Sequence, residues 1–216
     1  MRYYIFDIDG TLTEPRNKMT KVHNEFFLSF VKKNKVILIT GSDYEKIIEQ
    51  IDEPILKQVE LYCCSGNVYY LNGNLKTKYE SIYLSNNDLL KDIDNFIYLS
   101  KYKIKTGKHI EKRTGMLNIS SIGRNATKEQ RLEYKKWDQM NREREIFQNY
   151  LLEKYPYIEV NIGGEISIDI MEKNKDKSQI EISNDIIFFG DKCFFGGNDF
   201  SISEKIKNIG RNSLCC

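Results

Sequence analysis

Histidine is scarce in this chain: His23 and His109 are the only two, they lie far apart, and they lack the spacing of metal ligands. Each reads as a surface or packing residue rather than a catalyst. Five cysteines (Cys63, Cys64, Cys193, Cys215 and Cys216) are odd in number and contain no Cys-x-x-Cys pair, which argues against a disulfide framework and a zinc site alike. No apolar run approaches the length that spans a bilayer, and the N-terminus enters a strand directly without a signal-peptide pattern. No membrane partner is expected, and the expected location is cytoplasmic. Charge of one sign is also missing. Lys+Arg 33 against Asp+Glu 31 leaves +2, so no global field favours nucleic acid, and any anion-binding arginine must be argued singly. The 216 residues are enough to bury one large core, or a smaller core carrying an inserted cap.

Against this plain background the stretch Arg2-Tyr-Tyr-Ile-Phe-Asp-Ile-Asp-Gly-Thr-Leu-Thr13 stands out. An apolar run, then two carboxylates one residue apart, then a glycine turn reads as a buried parallel strand ending where open α/β sheets bind ligands. The period of two allows Asp7 and Asp9 to leave the strand on one side while Ile8 points away. Two carboxylates that close require a proton or a hard, magnesium-like cation between them. The pattern predicts Asp7 as a nucleophile toward phosphorus, forming an aspartyl-phosphate, and Asp9 as the acid/base for the oxygen that leaves or attacks.

Helical spacing of Val22, Phe26, Phe27, Phe30 and Val31, followed by Lys35-Val-Ile-Leu-Ile-Thr40, predicts a βαβ unit. Gly41-Ser42-Asp43 opens a second helix through about Ile51, a third strand covers Val59 to Cys64, and Asn72-Gly73 marks a hairpin. From about Glu80 the texture changes to a helix (Asn87 to Tyr102), strands around Thr114-Gly115 and Gly163-Gly164, and a long charged helical region between them. Thr127-x-x-Gln130 is a capping box for that region, and Asp138 is read as restarting it. Glu172-Lys-Asn-Lys-Asp-Lys177 reads as a solvated linker. Asp185-Ile-Ile-Phe-Phe-Gly-Asp191 then resumes the α/β pattern. The predicted organisation is a parallel-sheet α/β core in two parts, 1–79 and 175–216, with an inserted α+β cap over 80–174.

Further site elements follow on that frame. Thr40-Gly41-Ser42 offers hydroxyls and backbone N–H groups as a phosphate cradle. Gly190-Asp191, followed by Gly196-Gly-Asn-Asp199, puts a carboxylate at a strand end opposite Asp7, where it would complete an oxygen-only magnesium site. Arg113-Thr-Gly-Met-Leu-Asn-Ile-Ser-Ser-Ile-Gly-Arg124, followed by Arg131, gathers three guanidinium groups whose forks fit a phosphate dianion.

Phe6-Asp-Ile-Asp-Gly-Thr-Leu-Thr13 resembles motif I of the haloacid dehalogenase (HAD) superfamily of aspartate-dependent phosphotransferases. With Glu14-Pro15-Arg16, Arg-Thr-Gly-Met-Leu-Asn, Ile-Gly-Arg and Gly-Asp-Lys-x-x-x-Gly-Gly-Asn-Asp, the chain is similar to eukaryotic-type phosphomannomutases from Tyr3 to about Ile202. The resemblance implies a HAD-like fold. It implies Thr40 as motif II, Lys177 as the motif III lysine with Lys175 as the neighbouring alternative, and a magnesium ion on Asp7, Asp9 and Asp191 with Asn198 or Asp199 behind them. It implies that Arg16, Arg113, Arg124 and Arg131 contact the substrate and that Ser167 and Asp169 read sugar hydroxyls. The implied reaction interconverts mannose 6-phosphate and mannose 1-phosphate, with a hexose 1,6-bisphosphate as activator. The alternatives are a sugar-phosphate phosphatase or a non-catalytic sugar-phosphate-binding relic. The family's cap-to-cap homodimer is also implied, although His109 and Lys112 replace aromatic residues near that surface. Cys64-Ser65-Gly66 stands where the family has Glu-Asn-Gly. After Asp199 the chain lacks the family's acid for a second cation, and the last core strand and helix are expected to be short or missing.

Overall fold

The computed structural model describes residues 2–15, 17–182 and 185–215. Two compact units make up the chain: Met1–Tyr79 with Lys175–Cys216, and Glu80–Asn174.

In the first unit, β1 (Arg2–Phe6) leads to α1 (Lys21–Val31) and β2 (Lys35–Ile39). Thr20 caps α1 by accepting from the His23 N–H. Phe27 and Val31 are buried, whereas Val22 and Phe26, read as part of the same apolar stripe, are exposed. The short helices α2 (Tyr44–Gln50) and α3 (Glu53–Leu56) precede β3 (Glu60–Cys63). Asp43 caps α2 through the Lys46 N–H at 3.2 Å. The hairpin of β4 (Val68–Leu71) and β5 (Asn74–Lys78) turns at Asn72 and Gly73, both with positive φ, as a two-residue Asn-Gly turn demands.

The second unit begins with α4 (Asn87–Leu99), which Asn86 caps. Then come β6 (Ile110–Arg113), β7 (Met116–Ser120), α5 (Lys128–Asn141), α6 (Glu143–Lys154), β8 (Ile158–Gly163) and β9 (Ser167–Glu172). The strands form an antiparallel sheet in the order β6-β7-β9-β8. One face is apolar: Leu117, Ile119, Ile158, Val160, Ile168 and Ile170 pack with Leu89 and Ile93 of α4 and with Phe147 and Leu151 of α6. Period-two alternation therefore sends Glu111, Arg113, Asn118, Ser120, Ser167 and Asp169 to the other face. The capping box at Thr127 and Gln130 is formed. The helical break falls at Arg142, which is left-handed, and not at Asp138. Asp138 stays inside α5 and uses its carboxylate to receive the backbone N–H and the Nε of Arg144.

Back in the first unit, a short 3-10 turn over Lys177–Gln179 precedes β10 (Asp185–Gly190), α7 (Phe200–Asn208) and β11 (Asn212–Cys215). The sheet order is β11-β10-β1-β2-β3-β4-β5. Its members from β11 to β3 run parallel, which places the ends of β1, β2 and β10 on one edge. Phe6 stacks on Phe189 across β1 and β10, with ring centroids 4.7 Å apart. Ile5, Ile37, Ile39, Phe188, Ile202 and Ile206 form the core beside them. Two sequence expectations are corrected here. The last helix and strand are formed, with Ile202 and Ile206 of α7 fully buried and β11 hydrogen-bonded to β10. The charged run ending at Lys177 is no solvated linker at its end, because Asp176 and Lys177 are buried. Among the described residues no helix is long and apolar enough to cross a membrane.

Candidate active site

Asp7 follows β1 directly, and its N–H donates to the Phe189 carbonyl of β10 at 2.9 Å, which continues the parallel ladder by one residue. Ile8 is fully buried, and Gly10 turns the chain with φ +99°. A Cβ on Gly10 would collide with the Asp191 carboxylate, so the turn needs glycine for space as well as for conformation.

Around Asp7 the structure assembles residues from opposite ends of the chain. Lys177, 1% exposed, donates through Nζ to Asp7 Oδ1 at 2.5 Å and to Asp199 Oδ1 at 2.7 Å. Lys175 instead sits over the Tyr79 ring, with Nζ 4.0 Å from its centroid, so Lys177 is the lysine that reaches Asp7. Asp176 accepts from the Ser178 N–H and holds the turn that aims Lys177. Asp191, at the end of β10, pairs with its neighbour Lys192 at 3.2 Å. Carboxylate oxygens of Asp7, Asp191 and Asp199 all lie within 4.8 Å of one another.

One buried lysine does not balance three acids. Burial, then the Asp199 charge, and with a smaller push from Asp191, raises the Asp7 carboxyl to about 7 despite Lys177. Burial likewise raises Asp191. Burial opposes the charge on Lys177, but Asp199 and Asp7 outweigh it and raise its pKa. Asp7 Oδ2, Asp191 Oδ1 and Asn198 Oδ1 are buried with no hydrogen-bond partner among the described residues. The excess negative charge of the three acids and the unpartnered oxygens of Asp7 and Asp191 fit a hard divalent cation.

Asp9 has different company. Its Oδ1 accepts from Gln50 Nε2 at 2.8 Å and its Oδ2 from Ser42 Oγ at 3.3 Å. Thr40, buried at the end of β2, accepts the Ser42 N–H on its hydroxyl at 3.0 Å, so this amide of the expected cradle is used internally. Gln50 is a residue the sequence reading missed. Its one signal is a polar side chain in the last turn of α2 that the fold buries. Arg16 lies outside the described residues.

In the second unit, Arg113 and Arg124 converge on Glu111 Oε2, at 2.7 and 3.2 Å. Arg124 Nη1 also donates to Ser167 Oγ at 3.0 Å. Arg131 donates from Nε to the Ala126 carbonyl and from Nη2 to the Arg124 carbonyl, so it braces the loop that carries Arg124. Asp169 accepts from Asn118 Nδ2 at 2.5 Å, and a Cβ at Gly163 would lie 2.5 Å from its other oxygen. Glu111 is the second missed residue. It sits two positions before Arg113 on the same strand face, and that spacing was its signal.

The Eukaryotic phosphomannomutase family model matches residues 23–215. A phosphomannomutase from Dendrobium officinale is 36% identical, over 95% of this chain and 86% of its own length. Phosphomannomutases from Oryza sativa subsp. japonica and Arabidopsis thaliana are 37% and 36% identical, over 95% and 96% of this chain and 88% and 89% of theirs. Among solved structures, the C-terminal domain of C. albicans trehalose-6-phosphate phosphatase matches with TM-score 0.61 and 18% identity over 99% of this chain and 78% of that one. IMP-bound Plasmodium falciparum IMP-nucleotidase, truncated at its N-terminus, matches with TM-score 0.61 and 12% identity over 100% of this chain and 64% of that one. The structural matches establish a shared HAD-like fold.

Proposed function

The chain belongs to the eukaryotic phosphomannomutase family, and from that premise we propose that it interconverts mannose 6-phosphate and mannose 1-phosphate, with the residues around Asp7 as its phosphoryl-transfer centre. The observation that carries this reading is the buried grouping of Asp7 with Lys177 and the acids Asp191 and Asp199. Asp7 attacks a phosphorus atom of a hexose 1,6-bisphosphate, the ester P–O bond breaks, and Asp9 delivers a proton to the departing sugar oxygen. In the reverse half, Asp9 takes the proton of a monophosphate hydroxyl as that oxygen attacks the phosphoryl group on Asp7. Gln50 and Ser42 hold the Asp9 carboxylate for both transfers. Lys177 keeps positive charge beside the oxygens on which negative charge builds. Asp7, Asp191 and the backbone carbonyl of Asp9, with Asp199 behind them, would hold a magnesium ion, which supplies further neutralisation of the phosphoryl oxygens when bound. Arg113, Arg124 and Arg131 take the phosphate that is not reacting, Arg16 contacts the substrate, and Ser167 and Asp169 read the sugar hydroxyls. We place the protein in the cytoplasm. A homodimer through the cap is proposed on the family resemblance, and sedimentation of a monomer at high concentration would count against it.

Phosphorus NMR of mannose 1-phosphate with magnesium and catalytic bisphosphate should show mannose 6-phosphate as the main product. Inorganic phosphate as the dominant product would transfer the assignment to a phosphatase. Inertness with saturable binding would mark a relic.

A charged guanidinium–phosphate contact is worth roughly 1.5–3 kcal/mol, so Arg113→Ala, Arg124→Ala or Arg131→Ala should lower kcat/KM for mannose 1-phosphate by about ten- to a hundred-fold. A small phosphate ester lacking the sugar should be processed by these variants at the unmutated rate. Equal losses on both substrates would mean that the arginines support the fold and bind no distal phosphate.

A further inference from the structure

The polar face of the second unit's sheet carries more hydrogen-bonding capacity than the residues named so far use. Glu111, Asn118 and Asp169 lie side by side across β6, β7 and β9, and one step along β7 Ser120 sits directly opposite Ser167. Paired residues of antiparallel strands project from the same face, so Asn118 and Ser120 share the surface of Asp169 and Ser167. Both are buried, at 3% and 1% exposure. Asn118 spends its amide nitrogen on Asp169 Oδ1. Because a carboxylate only accepts, that bond fixes which end of the amide is which and turns Asn118 Oδ1 elsewhere. Asn118 Oδ1 and Ser120 Oγ have no hydrogen-bond partner among the described residues. Buried polar atoms are nearly always paired, and two orphans on one face, beside Ser167 and Asp169, are what a ring of hydroxyl groups would satisfy.

We propose that Asn118 and Ser120 are specificity-determining residues for the hexose ring of a hexose monophosphate. Asn118 Oδ1 accepts from one ring hydroxyl while its nitrogen holds Asp169 in place to accept from another, and the Ser120 hydroxyl pairs with a third. The inference rests on the hexose-phosphate reading above.

The test is calorimetric titration of Asp7→Asn protein, which does not turn over, with mannose 1-phosphate and separately with inorganic phosphate. Adding Ser120→Ala or Asn118→Ala should weaken mannose 1-phosphate by about three- to tenfold each, the loss expected for one hydrogen bond. Inorganic phosphate affinity should not move. Ser120→Ala should also leave Tm unchanged or higher, since it removes a buried hydroxyl with no hydrogen-bond partner among the described residues. If Ser120→Ala binds mannose 1-phosphate as well as its parent, or loses both ligands equally, the proposal is wrong whether or not the Asn118 variant folds. If mannose 1-phosphate fails to bind when Asn118 and Ser120 are intact, the hexose-phosphate reading itself falls.

Discussion

Asp7→Asn should reduce turnover below about a thousandth of the unmutated rate while leaving the fold intact, because the amide cannot form the acyl-phosphate on which both half-reactions depend. Loss of an acid/base alone costs roughly 10²- to 10⁴-fold, so Asp9→Asn should retain more activity than Asp7→Asn. Labelled phosphate separates the two roles. After incubation with labelled hexose bisphosphate, Asp9→Asn should carry label and Asp7→Asn should not. Label on Asp7→Asn protein would place the nucleophile elsewhere.

The same residue predicts a pH effect on the metal-free protein. Burial and the neighbouring acids lift the folded-state pKa of Asp7 from the ordinary 3.8 to about 7. The folded chain therefore binds this proton more tightly than the unfolded chain does. Its contribution to stability is complete below 3.8 and is lost as pH rises through about 7. Magnesium should raise Tm more at pH 8 than at pH 5, where protons and the cation compete for the same oxygens. A cation effect independent of pH would place its binding away from Asp7.

Lys177→Met should be among the most destabilising single changes in the first unit. It removes both ion pairs to Asp7 and Asp199 and leaves those carboxylates buried beside each other without a cation. Breaking a buried pair from one side costs about 3–5 kcal/mol, which for a chain of this size corresponds to a fall in Tm of roughly 6–20 °C. Activity should be lost as well. Lys175→Met, which removes only a cation stacked on Tyr79, should cost far less in both respects. Near-equal thermal denaturation of the two variants would remove Lys177 from the centre of the site.

Much of the fold was legible along the chain because its signals are local. The apolar run before Asp7, the Asn72-Gly73 turn and the Thr127 capping box each depend on neighbours within a few residues. The helical break shows the limit of such signals. Asp138 has the chemistry of a helix cap and is used as one, yet the chain turns at Arg142, because the carboxylate reaches forward to Arg144 from within the preceding helix. The last strand and helix of the first unit, expected to be short or missing, are present as β11 and α7, with Ile202 and Ile206 buried and β11 paired to β10.

The sequence by itself determined most of the strands and helices, the family, and the residue types gathered for phosphoryl transfer, since hydrophobic period, turn chemistry and short motifs are written in consecutive residues. Tertiary structure alone decided which partners those residues meet. Lys177 sits in a charge run that locally favours solvent, and it is buried because the fold brings it to Asp7, 170 positions away. In the same way Asp199 joins the acids at the sheet edge, Gln50 and Ser42 receive Asp9, and Glu111 draws Arg113 and Arg124 together. Those pairings are set by strand order and burial, and apart from Glu111 with Arg113 no short window along the chain contains both members.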